Sequence, residues 1–224
     1  KLRKAAALRN KQRNLYNELF ELGKLDPPPI KGFDIYKVIE GSGFSFDVEG
    51  NCMRLRELID NTKKAYEAGN RPVAAGAKRI LVTGCPIGGV LDKVVNTIES
   101  NGGAVVCFEN CGGVKPVRHL VDENAESIIS AIADRYLKIG CSVMSPNIRR
   151  MEMLPELLKE FKIDGVIETV LQACHPYSVE TRTIKKLVND AGLPYMSIET
   201  DYSKSDLGQI KTRISAFLEM EPVR

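Results

Sequence analysis

The chain has 224 residues, enough for one large domain or a domain with an extension, and its formal net charge of +3 comes from interspersed acids and bases. That balance gives no electrostatic footprint for nucleic acid or an anionic membrane, and no apolar run approaches the ~20 residues of a membrane span. The Lys- and Arg-rich first turns lack the apolar stretch of a signal peptide, so the expected compartment is the cytoplasm, where the six cysteines stay reduced and serve as metal ligands, redox groups or core residues.

The opening stretch, KLRKAAALRNKQRNLYNELFELGKL, carries Leu8, Leu15, Leu19 and Leu22 at helical spacing and predicts a helix ending near Gly23. It begins at Lys1 with neither a cap nor a Met, which predicts that the chain is the C-terminal part of something longer. DPPPIKG follows as a hinge, because no helix continues through three consecutive prolines. Residues 1–30 are therefore expected to form a linker helix and Pro-rich hinge. Residues 31–76 are expected to form a helical connection, with FDIYKVIEGSGF and NCMRLRELIDNTKKAYEAG as helices and NRPVAAGAK as a loop.

From residue 77 to 224 the pattern is that of a Rossmann-like lobe. RILVTG, AVVCFE, DGVIETVLQA and PYMSIET are predicted strands. GGVLDKVVNTIESNGG predicts an amphipathic helix with Leu91, Val94, Val95 and Ile98 on its inner side. DENAESIISAIADRYLKIG predicts a helix capped by Asp122, and SPNIRRMEMLPELLKEFKI a helix with Pro155 near its start. SVETRTIKKLVNDAG is a helix closed by Gly192, and SDLGQIKTRISAFLEM a last helix capped by Ser205. Strands alternating with helices across short breaks mean parallel strands joined by crossovers, and continuous apolar strands mean burial on both faces. The expected fold class is α/β: a doubly wound sheet of about four parallel strands with helices on both faces, preceded by a helical linker.

In such a sheet the functional crevice lies outside the carboxyl ends of the strands. Those ends carry Gly84-Cys85-Pro86-Ile87-Gly88-Gly89, Glu109-Asn110-Cys111-Gly112-Gly113, Ala173-Cys174-His175-Pro176 and Glu199-Thr200-Asp201-Tyr202-Ser203. Cys141, in GCSVMSPN, lies in a break that can reach the same edge. Soft thiolates converging in one crevice suit zinc or an iron–sulfur cluster. Zinc sites usually come as close Cys-x-x-Cys pairs, which this chain lacks, so thiols spaced along the chain but gathered by the fold favour a cluster held in the crevice, with Cys85, Cys111, Cys174 and Cys141 as the candidates. Gly88, Gly89, Gly112 and Gly113 would let the backbone approach that bulky group and offer it N–H donors.

Each residue also has a plainer role. A single Cys at a strand end is a small buried hydrophobe more often than a ligand, and only the convergence argues otherwise. Cys107 is expected in the core, and Cys52, at a helix start, to be packed or exposed. His175 serves as a donor to a cluster sulfur, a proton source or a helix cap; Glu199 and Asp201 serve as general acids or bases, or as caps of the last helix. His119 is expected on a surface helix, and the run KPVR on a solvated face.

Taken together, VTGCPIGGVLDKVVNTIESNGGAVVCFENCGGVKPV, GCSVMSPN, DGVIETVLQACHPYSVE and IETDYSKSDLGQIKTRISAFLEM resemble the 2-hydroxyacyl-CoA dehydratase D-component and benzoyl-CoA reductase subunit family, most closely its double-cubane cluster branch. The resemblance implies an iron–sulfur centre of the 4Fe-4S type between two Rossmann-like lobes. It implies low-potential electrons received from an ATP-hydrolysing activator that carries its own iron–sulfur cluster. It implies either reduction of a small substrate by a homodimer, or radical dehydration of a 2-hydroxyacyl-CoA by a single-cluster subunit in a heterodimer. It matches Cys174 to the ligand of the single-cubane subunits and makes Cys85, Cys111 and Cys141 the added ligands of a double cubane. The lobe before Lys1 that would complete the cluster is absent from this sequence. A non-catalytic α/β binding domain with buried thiols is the reading from another class.

Overall fold

The computed structural model describes residues 1–42 and 45–220. Gly43 and Phe44, the last two residues of one predicted helix, and residues 221–224 at the end of the expected lobe lie outside the described residues.

Helix α1 (Leu2–Glu21) tightens into a 3-10 turn (Leu22–Lys24). Leu15, Leu19 and Leu22 enter the main core and Leu8 packs against its rim, as the helical spacing requires. Helix α2 (Gly32–Ser42) starts on the Glu99 carboxylate, which accepts from the N–H groups of Gly32 (2.8 Å) and Phe33 (3.4 Å). Helix α3 (Val48–Glu67) begins earlier than its apolar pattern predicts, because the Asp47 side chain accepts from Gly50 N–H and caps it.

Four strands, β1 (Lys78–Gly84), β2 (Gly103–Glu109), β3 (Gly165–Leu171) and β4 (Tyr195–Thr200), form one parallel sheet in the order β2-β1-β3-β4. The winding direction reverses between β1 and β3, which makes their carboxyl ends the switch point of a doubly wound fold. Strand β2 is an edge strand, yet all seven of its residues are buried. The cover includes α2 and the 3-10 turn: Gly32 and Gly23 press against the carbonyls of Val105 and Val106 so closely that a Cβ on either would collide with backbone. On the sheet's flanks, α4 (Thr97–Ser100) packs with α8 (Leu207–Glu219), and α6 (Ile148–Glu160) with α7 (His175–Asp190). No helix among the described residues is long and apolar enough to cross a membrane.

Several boundaries differ from expectation. The helix after β1 is not uniform: a 3-10 turn (Gly88–Val90) and a π segment (Asp92–Asn96) precede α4, although Leu91, Val94, Val95 and Ile98 are all buried as predicted. Asp122 does not cap a helix. Its carboxylate accepts from Asn124 N–H in a turn, and α5 (Ile128–Leu137) is capped by Ser127. The loop before Ile148 takes up the predicted first turn, and Pro155 still sits in the interior of α6 rather than near its start, where it removes an i→i−4 bond. Helix α7 starts at His175, earlier than predicted, since Pro176 needs no N–H partner in a first turn. Asp206, not Ser205, precedes α8; Ser205 Oγ pairs with Ser203 Oγ instead.

Candidate functional site

The switch point brings three of the four candidate ligands together. Gly84 ends β1 at φ 105°, a conformation that suits glycine, and packs against the carbonyl of Thr169 on β3. Cys85 N–H then donates to that carbonyl (3.0 Å), and Cys85 Sγ accepts from Leu171 N–H (3.1 Å). The buried Cys85 packs with Val170 and Tyr177, and Cys174 packs against this group. Ala173 holds φ 66°, left-handed backbone that costs an alanine about 1 kcal/mol, and this twist delivers Cys174 to the N-cap position of α7. Cys111, exposed beyond β2, has its Sγ 3.4 Å from the Tyr177 hydroxyl. The Cys85 thiol is pushed up to about 11, chiefly by burial; Leu171 N–H opposes the shift, while Cys174 and Cys111 add to it.

The remaining candidates lie around this edge. Cys141 is half-buried in the loop before α6, and the residues following it line a cavity of about 620 Å³ together with His175, Pro176 and Val179. His175 is exposed, in the first turn of α7 beside Cys174. Glu199 is exposed on β4, and neither it nor Asp201 caps α8. Hydrogen bonds from Ser203 hold Asp201 below the usual carboxylate range. The space beside Gly88 is taken by the Glu40 carboxylate, that beside Gly89 by the Tyr202 ring and that beside Gly112 by Tyr36, while Gly113 sits on the carbonyl of Phe108. Among the described residues, no three His, Cys, Asp or Glu side chains are grouped to hold a metal ion. Cys52 and Cys107 are core residues, the latter with its thiol pushed well up by burial. His119 lies in a bend rather than on a helix.

The expected solvated face KPVR is wrong for Val117, which joins the main core, and for Lys115, which is 2 % exposed because a buried carboxylate lies within reach. Its Nζ is 2.8 Å from Glu109 Oε1, an ion contact outside hydrogen-bond alignment. Beneath the thiols lies a layer of buried charge that the sequence reading missed. Arg150, fully buried on α6, donates from Nε and Nη2 to Glu109 Oε2 (3.2 and 3.1 Å), from Nη2 to Thr83 Oγ1 (2.8 Å) and from Nη1 to Glu180 Oε2 (2.5 Å). Its Nη2 lies 3.6 Å from Glu168 Oε1, and Tyr195 donates to the other Glu168 oxygen at 2.5 Å. Burial pushes Glu109 up, but Arg150 and Lys115 outweigh it and hold this carboxylate below its usual range. Burial wins at Glu168, which is raised. A signal was present: Glu109 and Glu168 interrupt apolar strands, and both stand in register with Thr83. A carboxylate inside a buried strand requires a counter-charge.

These features define a class: a Rossmann-like parallel α/β lobe that gathers thiols over a buried charge layer at its switch point. Residues 1–220 match the family model described as 2-hydroxyglutaryl-CoA dehydratase, D-component, and the chain belongs to that family. It is 46% identical over 220 residues to the "Putative dehydratase subunit YjiM" of Escherichia coli (strain K12), covering 98% of this chain and 57% of that protein. It is 27% identical over 219 residues to the "(R)-phenyllactyl-CoA dehydratase beta subunit" of Clostridium sporogenes, covering 97% and 56%. It is 24% identical over 218 residues to the "Lactoyl-CoA dehydratase subunit alpha" of Anaerotignum propionicum, covering 93% and 50%. The chain thus spans about half the length of the curated relatives it matches.

Proposed function

We propose that this chain is the thiol-bearing lobe of an iron–sulfur component in the 2-hydroxyacyl-CoA dehydratase family, and that Cys174, Cys111, Cys85 and Cys141 hold a cubane-type cluster, double-cubane when all four serve. One observation carries the reading: Cys85, Cys111 and Cys174, far apart in sequence, meet around Tyr177 at the switch point. The donor set fits a bulky anionic sulfur group better than a single ion, since the thiols come from three separate loops. Asn110 Nδ2, next to Cys111, is buried without a partner, while its amide oxygen accepts from Gly112 N–H. Pro176 has no N–H, and the N–H groups of His175 and Ser178 donate to Ala173 O and Cys174 O, so α7 favours negative charge beside Cys174 through its dipole.

When bound, the cluster would supply low-potential electrons, delivered by an ATP-dependent activator, for reduction of a small substrate in a homodimer. The chain's own residues divide the remaining work. His175, exposed beside Cys174, is placed to carry a proton to a substrate at this edge. Asp201, held ionised by Ser203, accepts protons rather than donating them, and Glu199 stands open on the same side. Gly88 and Gly89 supply backbone N–H groups once the Glu40 carboxylate and the Tyr202 ring move aside, whereas the N–H groups of Gly112 and Gly113 already donate to Asn110.

The names of the relatives favour a second reading, a single-cluster subunit that dehydrates a 2-hydroxyacyl-CoA within a heterodimer. Iron and acid-labile sulfide per chain, measured on full-length protein purified without oxygen, separate the two. About eight irons support the double-cubane reductase, and about four support the dehydratase. No iron in folded protein, unchanged by Cys174→Ser, leaves an α/β binding domain with thiols.

A further inference from the structure

Tyr177 stands at the junction of the thiol edge and the buried charge layer. It lies in the first turn of α7 and is 4 % exposed. Its ring is flanked by two buried cations, the Lys115 ammonium 5.5 Å and the Arg150 guanidinium 5.1 Å from the ring centre. Its hydroxyl has two polar neighbours, Lys115 Nζ at 3.4 Å and Cys111 Sγ at 3.4 Å.

The direction of these contacts follows from donor counting. Lys115 is paired with the Glu109 carboxylate, and an ammonium has donors but no acceptor. The Tyr177 oxygen therefore accepts from Lys115. Its single proton is left for the other neighbour, the Cys111 sulfur. In so buried a position water does not compete for it.

We infer that Tyr177 is a positioning residue for Cys111, its O–H donating to the sulfur in a direction fixed by Lys115. Cys111 is otherwise exposed, so this bond also orients a thiol that packing alone leaves free. The consequence for electron transfer rests on the cluster reading above. A hydrogen bond to a ligating sulfur withdraws electron density and raises the reduction potential of the group it holds.

The test compares wild type with Tyr177→Phe and with the control Tyr195→Phe, whose lost hydroxyl serves Glu168 in the same network but touches no sulfur. In iron-free full-length protein, the alkylation rate of Cys111 by iodoacetamide, read by mass spectrometry, is expected to change about two- to tenfold in Tyr177→Phe, the worth of one hydrogen bond. Tyr195→Phe is expected to leave that rate alone. In protein purified without oxygen, Tyr177→Phe is expected to lower the midpoint potential at unchanged iron content, while Tyr195→Phe keeps it. Equal alkylation rates in wild type and Tyr177→Phe, or the same change in both variants, overturn the inference. A change confined to Tyr177→Phe in a protein that never takes up iron supports the hydrogen bond and sinks the cluster reading instead.

Discussion

Arg79 and Arg150 are both buried, at opposite ends of the sheet, and they are satisfied in different ways. Arg79, at the start of β1, donates to backbone alone: from Nε to Phe161 O (2.9 Å), from Nη1 to Leu25 O (3.1 Å) and from Nη2 to Gly23 O (2.5 Å). Arg150, under the thiols, faces the carboxylates Glu109, Glu168 and Glu180. The first arrangement ties three chain segments together and leaves the guanidinium outside any ion pair, with Asp26 and Asp164 acting on its charge only from a distance. The second concentrates charge where chemistry is expected, and Glu168 Oε1 remains without a hydrogen bond. The same residue type is thus architectural at the amino edge and electrostatic at the carboxyl edge, and only its partners tell the two apart.

The largest effect expected from this contrast is that of Arg150→Met. It leaves Glu109 and Glu168 buried with Lys115 as the remaining cation beside them. A cost of about 3–5 kcal/mol in denaturant unfolding is expected. Arg79→Met strands neutral carbonyls and is expected to cost about 1–3 kcal/mol. If the two variants lose equal stability, the contrast fails.

The smallest expected effect is a change of slope with pH. Glu99, like Arg79, has backbone hydrogen bonds and no ion pair, and burial pushes its carboxyl up to about 7. Its unfolded value is about 4.3, so the folded state binds the proton more tightly. Its contribution to stability is therefore full below about pH 4 and lost as the pH rises through about 7. Glu109 has the opposite sign: lowered by its cations, its contribution is present above its unfolded value and is lost as the pH falls. Glu99→Gln is expected to flatten the decline between about pH 4 and 8 in urea midpoints, and an unchanged decline would remove Glu99 as its source.

The strands were legible because each is an apolar run ended by glycine, cysteine or acid, and the thiol edge followed from those endings. The strand order was not, since the pairing of β1 with β3 depends on contacts made across the chain. Helix starts failed where two caps competed: Asp122 lost to Ser127, and Asp206, drawn to Lys93 at 2.6 Å, displaced Ser205. Lys115 was misjudged because a window of four polar and apolar residues contains no sign of the carboxylate at the end of β2 that buries it. Tyr177 carries no sequence signal of its own, because it falls in the first turn of α7, ahead of the helix that the pattern predicts from Ser178.

The close seating of Gly23 and Gly32 on β2 has a mechanical consequence. Backbone rests on backbone at both points, with no side chain between to act as a cushion. A push on α1 or α2 therefore passes into β2 with little slack, and β2 ends two residues before Cys111.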